Sequence, residues 1–570
     1  MTVYSSPYPS VAVPRTSIFN FVFPKDDHHL EDIAFVDAIS GKSYTRAQTQ
    51  ARARMVAFGL RNGMERKGLM NVSRRRTALV FSPNCLELPL IILGALAGGI
   101  VVSMASSNNT AGELAYQIGD CSPTHILVHP TLLSTTLSAF EILKVPKENV
   151  ARRVLLIASA DEMTPEIRSK GFLCIDDVIW DKKQLWPEGF EGEMADMTAM
   201  IFYSSGTTGL PKGTELSHYN IVSAIYSLQV PDRYTGVPGK DAVAGVLPFY
   251  HIYGCVMLVF DPLTYKIPSI VIPRFIPEVF LSTIQKYRPS LVFIAPPVAV
   301  FLANSPLVEK YDLSSVQKIT SAAAPLPVSV NKLAAERLKR AGVSNPRLLQ
   351  GYGMTELSPA VTDTPHNRTD KPSSVGKLLR NLEARLVDDE GRDVAPGQLG
   401  ELWVRGPNVM RGYLNKPHAT RSAITPDRWY KSGDIARRDE EGFFYILDRK
   451  KELIKYKGYA VAPAEIEDVI CAHPSIRDCA VVGLPVPGSG EELPRAYVVP
   501  RDGSVVDLPG APLSTELNQW VKERLAPYKQ LRGGTDCLHT GNPKSPAGKV
   551  LRRVLKERAI KETEQPGARL

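Results

Sequence analysis

Ser204-Ser205-Gly206-Thr207-Thr208-Gly209-Leu210-Pro211-Lys212-Gly213 packs four hydroxyls, three glycines and one lysine into a single run. Glycines let backbone N–H groups come close to an anion, Ser and Thr hydroxyls add donors, and Lys212 supplies a cation that can reach phosphate oxygens. From average residue usage such a pattern arises by chance on the order of once in a billion start positions. The run therefore predicts a polyphosphate cradle and not a merely flexible turn. The P-loop spacing G-x-x-x-x-G-K-[ST] is not met, because Pro211 precedes the lysine and Gly213 follows it. That disfavours a Walker-type ATPase or kinase.

Working outward, a chain of 570 residues with 44% hydrophobic composition can bury large cores and is expected to divide into about three structural units. Its seven cysteines form no C-x-x-C, so neither a disulfide framework nor a zinc cluster is indicated, and a reducing compartment is expected. The net charge of +9 is spread along the chain, which suits a polyanionic small molecule and gives no argument for nucleic acid. Arg74-Arg75-Arg76 reads as a solvated charge run. Leu88 to Ala105 is uncharged, but Pro89, Gly94, Gly98 and Gly99 interrupt it, predicting a buried helix followed by a strand from Ile100 to Met104 and no membrane span. The start is polar and punctuated by proline, unlike a signal peptide.

Short apolar runs at Thr77 to Phe81, Ile126 to Val128, Val154 to Ile157, Ala244 to Leu247 and Leu291 to Ala295 read as strands, and Ala47 to Leu60 and Glu278 to Lys286 have helical spacing. Alternation of this kind argues for α/β layers. From about Ser374 to Ile446 the pattern becomes hairpin-like, with turns at Asp389-Glu390-Gly391 and Glu440-Glu441-Gly442, which predicts a small β unit. The charged stretch Asp448-Arg449-Lys450-Lys451-Glu452 follows as a hinge. Beyond it, helices at Ala464 to Ala472 and Ser514 to Leu525 and a strand at Cys479 to Val482 suggest a small α+β domain. The C-terminal tripeptide Ala568-Arg569-Leu570 has the small-basic-leucine chemistry of a peroxisomal address, so a peroxisomal location and an import receptor are expected.

Five further segments join the first: Leu247 to Gly254, Gln350 to Glu356, Gly400 to Gly406, Tyr430 to Asp434 and Asp448 to Glu467, with Pro543-Lys544-Ser545-Pro546-Ala547-Gly548-Lys549 near the end. With these residues the sequence resembles the adenylate-forming superfamily of acyl-CoA synthetases, 4-coumarate-CoA ligases, luciferases and peptide-synthetase adenylation domains. The resemblance runs from about Ser17 to Arg553 and is most like the 4-coumarate-CoA ligase and luciferase branch through Leu453 to Tyr459 and Val461 to Glu465.

The resemblance implies an α/β fold. A large N-terminal domain of α/β subdomains with a small β-barrel would span 1–447, a hinge 448–449, and a mobile α+β C-terminal domain 450–570. It implies an acyl or aryl-CoA ligase using ATP, Mg²⁺ and CoA on a small carboxylic acid; a stand-alone ligase loading a carrier protein in trans is the alternative. Ser204, Ser205, Gly206, Thr207, Thr208, Gly209 and Lys212 would cradle phosphates. Gly351, Tyr352 and Thr355 would flank the nucleotide, Asp434 and Arg449 would hold its ribose, and Glu356 would engage magnesium. Lys549 would bridge the carboxylate and the α-phosphate, and His251 would gate the passage between acyl and thiol sites. Lys455, Lys457 and Gly458 would enter the site for thioester formation after the small domain turns. Tyr253, Ala322, Ala323, Gly351 and Ala360 would line the acyl pocket. Three departures stand out: Ala460 where relatives carry Gln, Ala322 where they carry Gly, and Thr535 to Asn542, which reads as too polar for the apolar strand expected there.

Overall fold

A computed structural model describes residues 2–65, 71–179, 182–204, 210–457, 459–487, 489–501, 512–538, 541–545 and 548–564. Two sheets organise the N-terminal part. In one, the parallel strands Val101–Ala105, Thr77–Phe81, His125–Val128, Val154–Leu156 and Leu173–Cys174 lie side by side, and the antiparallel pair Thr198–Ser204 and Lys212–Ser217 extends it. These strands are near-continuous apolar runs because helices cover both faces of a parallel sheet. The helix Leu88–Ala97 is buried at every position. Its apolarity therefore comes from packing between layers, and among the described residues no helix is long and apolar enough to cross a membrane. Gly94 lets it approach the helix Arg46–Phe58, since a Cβ at 94 would stand 2.7 Å from the Ala53 carbonyl oxygen.

The second sheet has parallel strands Ser269–Val271, Val243–Gly245, Leu291–Ile294, Lys318–Ser321 and Leu348–Gly353, then turns antiparallel through Ala360–Asp363 and Gly376–Leu378. Phe443–Arg449, Tyr430–Arg438, Gly400–Arg405 and Glu383–Val387 continue it. The unit expected as a small β-barrel is this antiparallel wing. Among the described residues its strands follow one another in open order, hydrogen-bonded into the α/β sheet, with Tyr4–Ser5 at the edge. The turns at Gly391 and Gly442 both have positive φ, +80° and +89°, which explains the glycines there. Arg74, from the triple-arginine run, pairs with Glu188 at 3.3 Å.

The C-terminal part builds its own core. The hairpin strands Ile476–Pro485 and Glu492–Pro500 carry the helices Pro463–Cys471 and Pro512–Arg524 on one face and the helix Arg552–Glu564 on the other. The expectation that Thr535 to Asn542 is too polar to join a sheet is corrected for its first residues: Thr535–Cys537 pairs in parallel with Glu492–Pro500. Its polarity is absorbed locally, because Asp536 pairs with Arg495, which also holds Glu562 at 2.7 Å, while Cys537 and Leu538 are buried. His539 and Thr540 lie outside the described residues. Asn542 is buried, with neither side-chain amide atom partnered among the described residues.

Candidate active site

The cradle stands where the antiparallel pair Thr198–Ser204 and Lys212–Ser217 opens, with Lys212 directly opposite Ser204. Ser205, Gly206, Thr207, Thr208 and Gly209 lie outside the described residues, as does Gly458. From the far side comes the turn Thr355–Leu357, which follows the strand Leu348–Gly353 and buries Thr355 and Glu356. Ser204 Oγ donates to Glu356 Oε1 at 3.3 Å and the Tyr413 hydroxyl donates to the same oxygen at 2.9 Å. Lys212 Nζ lies 4.9 Å above the Tyr413 ring. A carboxylate, two hydroxyls and an ammonium thus surround one opening, and Tyr413 is a member that the motifs do not reveal.

A second cluster forms where the strands Tyr430–Arg438 and Phe443–Arg449 place Asp434 opposite Arg449. Arg449 Nε lies 3.3 Å from Asp434 Oδ1, and the Tyr352 hydroxyl donates to Asp434 Oδ2 at 2.6 Å. Burial pushes the Asp434 carboxyl up, and Arg449, the Tyr352 hydrogen bond and Lys549 oppose that shift. The Tyr352 phenol is held well above its usual range by burial and by Asp434.

Lys549, from the small domain, lies within the electrostatic field of this cluster. Its loop is closed by a bridge between Lys544 and Val550, by the Ser545 N–H on the Lys549 carbonyl at 2.7 Å, and by the Lys549 N–H on Ser545 Oγ at 3.2 Å. Gly548, at φ +80°, is pressed so closely to the large domain that a Cβ would stand 2.7 Å from Pro297 Cδ. Burial, followed by repulsion from Arg449, holds the Lys549 amine below the usual lysine range, while Glu452 and Asp434 act in its favour. Lys451, within the hinge stretch, joins the same field: burial and then Arg449 push it down to about 8, with Lys549 and Lys212 adding to the repulsion. A set of converging cations is what an anion of several charges requires.

His251, Tyr253, Ala322, Ala323, Gly351 and Ala360 line one cavity of about 70 Å³. Burial pushes the His251 imidazole down to about 4, so the ring is neutral at physiological pH, and its Nδ1 accepts the Tyr253 N–H at 3.4 Å. The Tyr253 hydroxyl donates to the Thr320 carbonyl at 3.2 Å. Lys455 and Lys457 are not part of this assembly. Both are exposed at the hairpin of Ile454–Tyr456 and Tyr459–Val461, where the Lys455 N–H donates to Glu492 Oε2 at 3.3 Å.

The chain also matches known families. Residues 25–414 fit the model of the AMP-binding enzyme family and residues 465–549 that of the AMP-binding enzyme C-terminal domain. The protein belongs to the AMP-binding enzyme family. It is 35% identical over 566 residues to a probable 4-coumarate–CoA ligase 3 of Dictyostelium discoideum, covering 98% of each chain. It is 33% identical to the peroxisomal OPC-8:0-CoA ligase 1 of Arabidopsis thaliana, over 97% of this chain and 95% of that one. Among solved structures, ATP-bound MatB from Rhodopseudomonas palustris superposes with a TM-score of 0.78 at 25% identity, over 96% of this chain and 99% of that chain.

Proposed function

We propose that the protein joins a small organic acid to coenzyme A in two steps within one cleft. In the first, an oxygen of the acid's carboxylate attacks the α-phosphorus of ATP, the bond from that phosphorus to the bridging oxygen breaks, and pyrophosphate leaves. In the second, the thiol sulfur of CoA attacks the acyl carbon, its proton is lost to solvent, and AMP leaves. The first step brings two anions together, so its barrier is largely electrostatic and falls where fixed cations meet the reacting oxygens. The single observation that carries this reading is the docking of the Lys549 loop on the large domain, where Gly548 abuts Pro297, with Lys549 in the electrostatic field of the paired Asp434 and Arg449.

In this reading Asp434 takes the ribose hydroxyls, Arg449 and Lys212 hold phosphate oxygens, and Lys549 spans the carboxylate and the α-phosphate. Glu356 fits a hard divalent cation, since it is a buried carboxylate whose Oε1 already takes hydroxyl donors from Ser204 and Tyr413. Magnesium held there would neutralise polyphosphate charge. Neutral His251 at the wall of the acyl cavity suits a gate that does not repel a cationic neighbour. For the second step the small domain turns about residues 448–449, withdrawing Lys549 and bringing Lys455, Lys457 and Gly458 to the cleft. The exposure of Lys455 and Lys457 in the present arrangement is consistent with that exchange.

The test is acid-dependent exchange of labelled pyrophosphate into ATP across a broad acid collection, with product identified after adding CoA or a carrier protein. No exchange with any acid overturns the proposal, and acyl transfer only to the carrier supports the alternative acceptor. Import into peroxisomes is proposed from the Ala568-Arg569-Leu570 tripeptide, which lies outside the described residues, and from the peroxisomal name of the Arabidopsis relative. A fluorescent fusion that stays diffuse would refute it.

A further inference from the structure

We propose that the acyl pocket reads a hydroxyl group on the tail of its acid through Asp363, an inference that rests on the acid-activating reading above. The pocket has apolar walls at Leu228, Met257 and Phe293, yet two ionised side chains, Arg233 and Asp363, also line it. Asp363 ends the strand Ala360–Asp363 and stands directly opposite Gly351 on the neighbouring antiparallel strand. The missing side chain at 351 opens the space in front of it: a Cβ there would lie 3.3 Å from the Thr362 carbonyl oxygen, 3.5 Å from Asp363 Oδ1 and 4.0 Å from Thr320 Cγ2.

The two oxygens of Asp363 are used differently. Oδ2 accepts from Lys318 Nζ at 3.0 Å and lies 3.7 Å from Arg233 Nε. No hydrogen bond among the described residues engages Oδ1. Arg233 is in turn held by Asp261 at 2.8 Å, so two cations face two carboxylates in direct pairs, with side-chain exposures of only 2% for Lys318 and 4% for Arg233. The pairing leaves one acceptor, Oδ1, turned toward the cavity.

An alkyl tail filling the pocket would strip water from Oδ1 and give nothing in return, which is the unfavourable case for a buried polar atom. A second carboxylate would set oxygen lone pairs against oxygen lone pairs. An ammonium would come beside Arg233 and Lys318. A neutral O–H, donating to Oδ1, satisfies the free acceptor and adds no charge to the pairs.

Pyrophosphate release by the purified full-length protein tests this on matched acids: hexanoic to dodecanoic acids against their ω-hydroxy counterparts, and 3-phenylpropanoic acid against its 4-hydroxy form. At the length that fits, the hydroxy acid is expected to exceed its parent in kcat/KM by about tenfold or more. Gly351→Ala, which covers Oδ1 with a methyl group and leaves the four-charge set in place, should bring that ratio to about one. Parent acids that match or beat their hydroxy forms in the wild-type protein overturn the proposal, as does a preference that persists in folded Gly351→Ala protein. If that variant does not fold, the wild-type ratio decides. Turnover of no member of any pair removes the acid-activating reading itself, and this inference with it.

Discussion

In the proposed first step Lys549 would carry a positive charge in surroundings that discourage one. Burial and Arg449 both hold its amine below the usual lysine range, and a cationic role is filled only below that lowered value. Adenylation kcat/KM, which reports free-enzyme ionisations, should therefore fall as pH rises through a limb set below ordinary lysine titration. Lys549→Arg should move the limb upward, since guanidinium keeps its charge. Lys549→Ala should lower adenylation by about a hundredfold to a thousandfold, the cost of removing one positioned donor from a reacting centre, while acyl transfer from a supplied acyl-adenylate to CoA persists. Equal losses in both half-reactions would count against the assignment. The lysine was legible because a distinctive segment surrounds it. Tyr413 and Asp363 were not, because each meets the site only through strand pairing, Tyr413 opposite the distant Thr214 and Asp363 opposite Gly351, while Lys451 lies in the hinge stretch with no motif of its own to mark it.

Among the elements, the parallel strands were read with small boundary errors, since burial on both faces writes a continuous apolar run. Thr77–Phe81 has the expected bounds, while Val243–Gly245 ends two residues before the expected Leu247 as the chain leaves for the His251 turn. The strand expected at Cys479 to Val482 extends over Ile476–Pro485 because its polar start, Arg477 and Asp478, sits at the less buried end of the ladder. Thr535–Cys537 was hidden by its aspartate, which only the cross-strand Arg495 accounts for. Asn542, further along the same segment, has no such compensation among the described residues. Asn542→Leu should raise the unfolding free energy by about 1–3 kcal/mol by removing two unpaired buried polar atoms, read as a higher denaturant midpoint with an unchanged slope. No gain would mean that the amide has a partner the present arrangement lacks.

At the scale of the whole molecule, polar contacts among the described residues help hold the two domains together. Asp468 of the small domain accepts the Val328 N–H at 2.9 Å and so caps the large domain's helix Val328–Arg340, whose own preceding residue, Pro327, supplies no side-chain cap. A cap is worth about 1 kcal/mol, so Asp468→Ala should shift the ratio of adenylation to thioester formation about fivefold toward the thioester step. An unchanged ratio in a folded variant would show that this contact does not bias the arrangement. Asp448, whose Oδ2 accepts the Ala464 N–H at 3.2 Å, marks the proposed pivot. A proline there fixes one backbone dihedral, and Asp448→Pro should slow thioester formation far more than adenylation in rapid-quench assays of the separate half-reactions.

Gly548 gives the meeting of the domains a mechanical tolerance. With Pro297 filling the place where any side chain would begin, the segment that delivers Lys549 docks only if it arrives bare, like a key whose blade has been filed flat at one point. Even a single methyl there would prop the smaller body ajar, and under the proposed mechanism it would hold the ammonium short of its target and slow the first chemical step through an atom the chain leaves out.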